Sequence, residues 1–327
     1  MISMDPKTMP GEYYLGYDIG GTKCSVVLGD RNFKIYEKVV FATRTQRGYR
    51  DILDDFIKHT YAFFGKYERS NLVKIGISCG GPLDSEKGVI YSPPNLPGWD
   101  SVPIVEIIEK EFDVVTRVQN DANACALAEW MMGAGVGSRN MIFLTFGTGM
   151  GAGLIINGQL YTGTNDLGGE VGHIRLAEDG PVGFGKAGSF EGFCSGGGIA
   201  QLAVSIISEK LLTGKRVDFC SSEDMVNDIS ARTVFEAAIA GDPVAKEIVD
   251  ISAAYLGKGL AVLIDILNPE CIVIGSIYAR NEELFKPHIE KVLKREAIPA
   301  ARQVCKIVPA ALGDNIGDYA ALCVALN

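Results

Sequence analysis

Hydrophobic and polar positions along the chain fall into two rounds of one pattern. Short apolar runs at Tyr13–Ile19 and Cys24–Leu28 flank Gly20-Gly21, and Phe33–Phe41 alternates weakly. Runs of this length bounded by glycine predict strands, so the chain opens on an antiparallel meander. From Tyr49 to Tyr67, apolar residues recur at Ile52, Leu53, Phe56, Ile57, Tyr61 and Phe64, the spacing of one helix face. Val73–Cys79 predicts a buried strand, Val102–Phe112 an amphipathic helix, Val114–Val118 a strand and Ala122–Met132 a helix. The second round begins with a strand at Met141–Phe146 that again meets glycines. Leu154–Ile156 and Gln159–Tyr161 then flank Asn157-Gly158, a strong hairpin signal.

Gly163–Gly198 reads as one long, irregular, glycine-rich stretch, and loops of that length are usually functional or disordered. Helices are predicted at Gly198–Leu212, Glu223–Ile229, Thr233–Ala240 and Pro243–Leu267. A strand at Cys271–Gly275, a helix at Glu282–Arg295, a strand at Gln303–Val308 and a closing helix at Asp314–Leu326 follow. The fold class is α/β. The expected organisation is a smaller lobe of residues 1–120 plus 314–327 and a larger lobe of residues 121–313, with a cleft between them.

Composition narrows the function. With 327 residues, 47% hydrophobic and 22% charged, the chain builds an ordinary core without staples. Basic residues number 31 against 40 acidic ones, a net charge of −9 with no basic stripe, which argues against a nucleic-acid partner. The eight cysteines show no C-x-x-C spacing and sit mostly in apolar runs. They read as buried thiols of a reducing compartment. Met1–Glu12 is polar, contains Pro6 and Pro10 and lacks the apolar core of a signal peptide. No apolar run approaches the roughly 18 residues of a membrane span. A cytoplasmic protein without membrane contact is expected.

The 39 glycines are clustered. In Asp18-Ile19-Gly20-Gly21-Thr22-Lys23, adjacent glycines between strands let backbone N–H groups approach an anion. Thr22 adds a hydroxyl, and Asp18 is placed to hold a hydrated Mg²⁺ through water. The plainer alternative is a Gly-Gly hairpin tip. Phe146-Gly147-Thr148-Gly149-Met150-Gly151-Ala152-Gly153 repeats the device in the second half. It resembles G-x-G-x-x-G by spacing, without the following helix that a dinucleotide site requires. Two such loops, one per half, are the pattern of a two-lobed phosphotransferase. Asn120-Asp121 stands at a strand-to-helix junction, where it reads either as a helix cap or as a functional carboxylate.

Together these motifs resemble the ROK sugar kinases, a branch of the actin, hexokinase and Hsp70 ATPase superfamily. The matching segments are Asp18–Lys23, Gly80-Gly81-Pro82-Leu83-Asp84, Pro94-Asn95-Leu96, Asn120–Ala124, Phe146–Gly153, Gly169-Glu170-Val171-Gly172-His173, Glu191, Ser195-Gly196 and Ile272–Gly275. The resemblance implies two actin-like (ribonuclease H-like) lobes, ATP with Mg²⁺, a sugar in the cleft and a homo-oligomer. It assigns Asp121 as the base that accepts the proton of the attacking hydroxyl. It gives Gly81, Asn95, Asn120, Glu170, His173 and Glu191 to the sugar. It gives Asp18, Gly20, Gly21, Thr22, Lys23, Gly147, Thr148, Gly149 and Gly275 to the nucleotide and its metal. Trp99 reads as a shaper of the sugar side or as core, and His59 and His288 as structural.

One segment departs from the family. Many members carry C-x-C-G-x-x-G-C-x-E, whose cysteines bind zinc with the histidine matching His173. Here the cysteine positions are Val182, Phe184 and Ser189. Zinc needs about four N or S donors, so no structural zinc is expected. Apolar packing by Val182, Phe184 and Phe190 is expected to hold the loop instead. Within the class, a glucokinase-like hexose kinase stands first and an N-acetylhexosamine kinase second. A ROK-type sugar-sensing repressor would carry a DNA-binding domain before the first glycine motif, whereas 17 residues precede Asp18. A sugar-independent ATPase would have no use for Glu170, His173 and Glu191.

Overall fold

The computed structural model describes residues 11–220 and 222–327. Most of the polar N-terminal stretch, including Pro6 and Pro10, lies outside them. The first half runs β1 (Tyr13–Ile19), β2 (Lys23–Gly29), β3 (Ile35–Ala42), α1 (Tyr49–Phe64), β4 (Leu72–Cys79), β5 (Leu83–Asp84), β6 (Val89–Ile90), α2 (Ile104–Phe112), β7 (Thr116–Asn120) and α3 (Asp121–Met132). The second continues with β8 (Met141–Leu144), β9 (Ala152–Ile156), β10 (Gln159–Tyr161), β11 (Val182–Gly183), β12 (Lys186–Ala187), α4 (Phe190–Phe193) and α5 (Gly196–Leu212). It closes with α6 (Ala231–Ile239), α7 (Pro243–Leu267), β13 (Cys271–Ile274), α8 (Ser276–Glu296), α9 (Pro299–Val304), β14 (Lys306–Pro309) and α10 (Ile316–Leu326).

The doubled pattern is present in the topology. The first sheet has the order β3-β2-β1-β4-β7, and the second has β10-β9-β8-β13-β14. In the first, β1, β2 and β3 are antiparallel neighbours, while β4 and β7 add parallel to β1. In the second, β9 is antiparallel to β8, and β13 and β14 add in parallel. Hairpins supply the antiparallel pairs, and intervening helices supply the parallel crossovers. These are the two actin-like α/β modules expected.

By contacts the chain divides into two units: Met1–Val136 with Leu160–Gly168 and Asp314–Asn327, and Gly137–Gln159 with Gly169–Gly313. The first unit thus extends beyond the boundary expected after residue 120, because α3 packs against α10. Residues 160–168 join it through Asp166, which accepts from Ser85 N at 2.6 Å and Ser85 Oγ at 2.8 Å.

The core of the first unit includes Leu15, Tyr17, Val26, Phe56, Ile75, Ile77 and Trp99, all fully buried. Trp99 is therefore core. The other face of that sheet receives α10. Gly16 on β1 pairs in register with Gly76 on β4. A Cβ on Gly76 would lie 2.3 Å from Ala321 O and from Ala325 N, and one on Gly16 would lie 2.7 Å from Leu322 N. The helix backbone rests directly on these glycines, and its inner face is small: Ala320, Ala321 and Ala325 are buried. The second unit buries Phe146, Phe190, Ile199, Leu256, Ile272 and Phe285 among α4–α8 and its sheet.

Several segments differ from expectation, the short β5 and β6 strands among them. The stretch 163–198 is not wholly irregular, since it contains the β11–β12 hairpin, α4 and the first turn of α5. Residues 223–228 form a 3-10 helix in place of an α-helix. Helix α8 starts at Ser276, because Arg280-Asn281-Glu282-Glu283 breaks the apolar period and Asn281 introduces a kink (φ −135°, ψ 25°). Residues 299–304 are helical, opened by Pro299 at the first turn, where its missing N–H costs nothing.

Candidate functional site

The functional residues expected from the sequence form one cluster in each unit. In the first unit, Gly20 and Gly21 make the β1–β2 turn, with Gly20 N donating to Lys23 O at 3.1 Å. Thr22 and Lys23 are exposed beside it. Exposed Asn95 lies against both glycine turns: a Cβ on Gly21 would stand 2.9 Å from Asn95 Cβ, and one on Gly80 would stand 3.3 Å from Asn95 Oδ1. Gly81 is similarly close to Asn120, 3.1 Å from a built Cβ to Nδ2. Asp18, Gly21, Gly81, Asn95, Asn120 and Asp121 therefore stand at the C-terminal ends of β1, β4 and β7 or in the loops that follow, the sheet edge where α/β sites gather.

Asn120 is the N-cap of α3, its Oδ1 accepting from Ala122 N at 2.9 Å. Asp121 Oδ1 also accepts from Ala122 N, at 2.8 Å. The cap and the carboxylate are thus separate residues, and Asp121 is not needed to start the helix. Asp121 is solvent-exposed, yet close surrounding protein strips enough water to raise its carboxyl above the ordinary value. The bond from Ala122 N opposes that shift.

Asp18 is more strongly perturbed. Burial first, then the charges of Asp121 and Asp318, push its carboxyl up to about 6, against opposition from Ser78 and Lys23. Asp318 comes from α10, where it pairs with Lys38 and accepts from Ser25 Oγ at 3.2 Å. Three carboxylates thus share one region with incomplete compensation. Because the folded-state pKa of Asp18 is raised, folding favours its protonated form. Its ionisation costs stability progressively between about pH 4 and 6, and fully above that. Asp18→Asn is expected to raise metal-free stability at pH 8 by about 1–2 kcal/mol, after discounting for partial exposure, and to change it little below pH 4. Denaturant melts at the two pH values check this, and an equal gain at both would contradict it.

In the second unit, Gly147 N donates to Gly149 O at 3.1 Å, closing the loop after β8. Gly196 N donates to Gly147 O at 2.8 Å, and Ile277 N to Phe146 O at 2.8 Å, so the loop is tied to the starts of α5 and α8. Glu191 on α4 grips the same loop. Its Oε2 accepts from Met150 N at 3.0 Å and would lie 2.9 Å from a Cβ on Gly149. The turn Glu170–His173 packs nearby, with Gly172 against Met150 O and the Glu191 Cβ. Glu170 is exposed and His173 half-buried.

The segment with the substituted cysteine positions is held by hydrogen bonds more than by apolar packing. Phe190 is fully buried, but Val182 and Phe184 are 44% and 71% exposed, which corrects the expectation for those two. Phe184 meets the His173 ring edge-on at 5.0 Å. Lys186 Nζ donates to His173 O at 2.7 Å, Arg175 Nη1 to Ala187 O at 2.8 Å, and Ser189 Oγ accepts from Gly192 N at 3.0 Å. Among the described residues, no group of three or more His, Cys, Asp or Glu side chains is placed to hold a metal ion directly.

A cavity of about 780 Å³ lies within the second unit. Gly147, Thr148, Gly196 and Gly197 line it together with Ala200, Ile229, Phe235, Ile239 and Ile277. Polar groups are contributed by Ser230, Arg232, Glu236, Ser276, Arg280 and Asn281. Gly275 itself is buried against Phe143, and the two residues after it reach the cavity. The contributions of α6 and α8 were not anticipated, since their residues carry no local motif.

A family model described as the ROK family matches residues 14–327. The chain belongs to the ROK family. A glucokinase of Halalkalibacterium halodurans is 33% identical to this ROK protein over 319 residues, spanning 94% of this chain and 93% of the relative. The solved structure of a ROK family glucokinase from Streptomyces griseus, in complex with glucose and AMPPNP, superposes with a TM-score of 0.74 at 28% identity, covering 96% of this chain and 99% of that one. The family also includes regulators: the DNA-binding transcriptional dual regulator NagC of Escherichia coli is 27% identical over 94% of this chain and 74% of its own.

Proposed function

We propose that this ROK protein transfers the γ-phosphoryl group of ATP to a hexose hydroxyl in the cytoplasm, glucose being the first candidate and an N-acetylhexosamine the second. The observation that carries the reading is Asp121, an exposed carboxylate at a strand-to-helix junction whose helix is capped by its neighbour. A carboxylate whose neighbour supplies the helix cap, and whose carboxyl is raised above its ordinary value, suits a general base. Asp121 takes the proton of the attacking hydroxyl, while Asn120, Asn95 and Gly81 orient the sugar. In the second unit, Glu170 and His173 are the residues that the family resemblance gives to sugar hydroxyls. Glu191 touches the sugar and also holds the Gly147–Gly149 loop.

The cavity beside that loop fits a nucleotide, with apolar walls for a base and ribose and the N-terminus of α5 at its edge for phosphates. Asp18 fits a hydrated Mg²⁺, since the charges of Asp121 and Asp318 act on it and, among the described residues, no group is placed to ligate a metal directly. When bound, the metal would neutralise phosphate charge. The glucokinase relative and the AMPPNP complex of the S. griseus enzyme support this reading.

The test is ADP release with Mg-ATP over glucose, mannose, fructose, allose, N-acetylglucosamine and N-acetylmannosamine. One sugar is expected to raise the rate at least a hundredfold over the sugar-free rate. Binding of a sugar without any ADP release would instead favour a sensor, the reading to which the NagC similarity points.

A further inference from the structure

The second unit contains another cavity, of about 320 Å³, bounded by α8, α9 and β14. It shares no lining residue with the 780 Å³ cavity. Its walls carry Lys286, Lys294 and Arg302 against one carboxylate, Glu290. Lys286 is 3.4 Å from Glu282, long for a charge-assisted hydrogen bond. Among the described residues, neither Lys294 nor Arg302 forms an ion pair. Arg302 Nε is buried and has no hydrogen-bond partner. Buried donors are nearly always satisfied, so the unmatched Nε is an anomaly in a residue that also lines the cavity. Beside the charges on α8, Ile289 and Leu293 are buried and apolar.

We propose that this cavity binds a small phosphate monoester. Three cations stand against Glu290 in the lining and Glu282 beside Lys286, so the site keeps a net positive charge that the anionic phosphate of a monoester complements. The Arg302 guanidinium supplies directed donors for phosphate oxygens, and Lys286 and Lys294 supply point charges. The apolar wall covers a short carbon skeleton, and the volume sits at the lower end for small-molecule sites. A phosphorylated sugar made by the proposed reaction and an unrelated phosphate ester share this chemistry.

The experiment is calorimetric titration of the full chain, without ATP or Mg²⁺, at low salt in an amine buffer. The probes are glycerol 3-phosphate, glucose 6-phosphate, inorganic phosphate and, as neutral controls, glycerol and glucose. Glycerol 3-phosphate is expected to bind at least tenfold more tightly than inorganic phosphate, and glycerol is expected not to bind. Arg302→Gln should weaken the ester at least tenfold. Lys294→Gln, an exposed change that leaves folding intact, should weaken it about threefold or more. Glucose 6-phosphate losing affinity in the same variants would name the sugar phosphate as one source. Its retention in both, with glycerol 3-phosphate weakened, would assign the cavity to other esters. No binding of either ester, equal affinity for inorganic phosphate, or an effect of Thr148→Val in place of Arg302→Gln would overturn the proposal. The readout needs no turnover, so it stands or falls separately from the kinase reading.

Discussion

Replacing Asp121 by Asn is expected to reduce sugar-dependent turnover by 10²–10⁴-fold, the usual contribution of a positioned acid or base. The substitution is clean here for a structural reason. Asn120 caps α3, and an amide oxygen at position 121 can still accept from Ala122 N, so the helix start is preserved. What the amide cannot do is take a proton. Sugar affinity, read by calorimetry, should stay within a few-fold of wild type, so the loss falls on kcat. The pH profile supplies a second readout. Because burial raises the Asp121 carboxyl, the acidic limb of the wild-type profile should lie above the ordinary carboxylate range, and the variant should lose it. Removing that charge should also lower the pKa of Asp18, which the Asp121 charge helps to raise. Turnover close to wild type in Asp121→Asn would end the general-base assignment.

Gly76→Val is expected to destabilise the first unit by about 3 kcal/mol or more, at or beyond the upper end for overpacked sites. Even a Cβ would stand 2.3 Å from two backbone atoms of α10, and backbone cannot rotate away as a side chain can. The helix must lift from the sheet or the strand must bend. For a unit of this size the melting temperature should fall by roughly 6–12 °C. Function should fail with it, because α10 carries Gly317, where a built Cβ would lie 2.8 Å from Asp18 Oδ2, and Asp318. A variant of unchanged melting temperature would show that α10 does not rest on β4 as described.

Much of this protein was legible from local pattern. Strand β1 and helix α7 lie where alternation, apolar spacing and turn residues place them, because pleat period, helix period and the glycine and Asn-Gly turn preferences act over a few residues. The doubled strand–turn–strand unit and the Asn120-Asp121 junction are visible for the same reason. Elements lacking local period were not: the β11–β12 hairpin has two-residue strands, and the start of α8 is hidden by a charged run and a kink.

The sequence by itself therefore determined most of the elements and their order, the glycine turns and the identity of the carboxylates. Tertiary structure alone decided which of them meet. Asp18 and Asp318 are far apart in the chain, yet the charges of Asp318 and Asp121 both act to raise the Asp18 carboxyl. Gly76 matters because of a helix at the opposite end of the sequence. Lys186 reaches His173 O across a loop in which the two residues are 13 positions apart. Arg302 is an ordinary surface-type residue until α8 and β14 enclose its Nε. Proximity across the fold leaves no periodic trace in the chain, and burial and charge coupling depend on proximity.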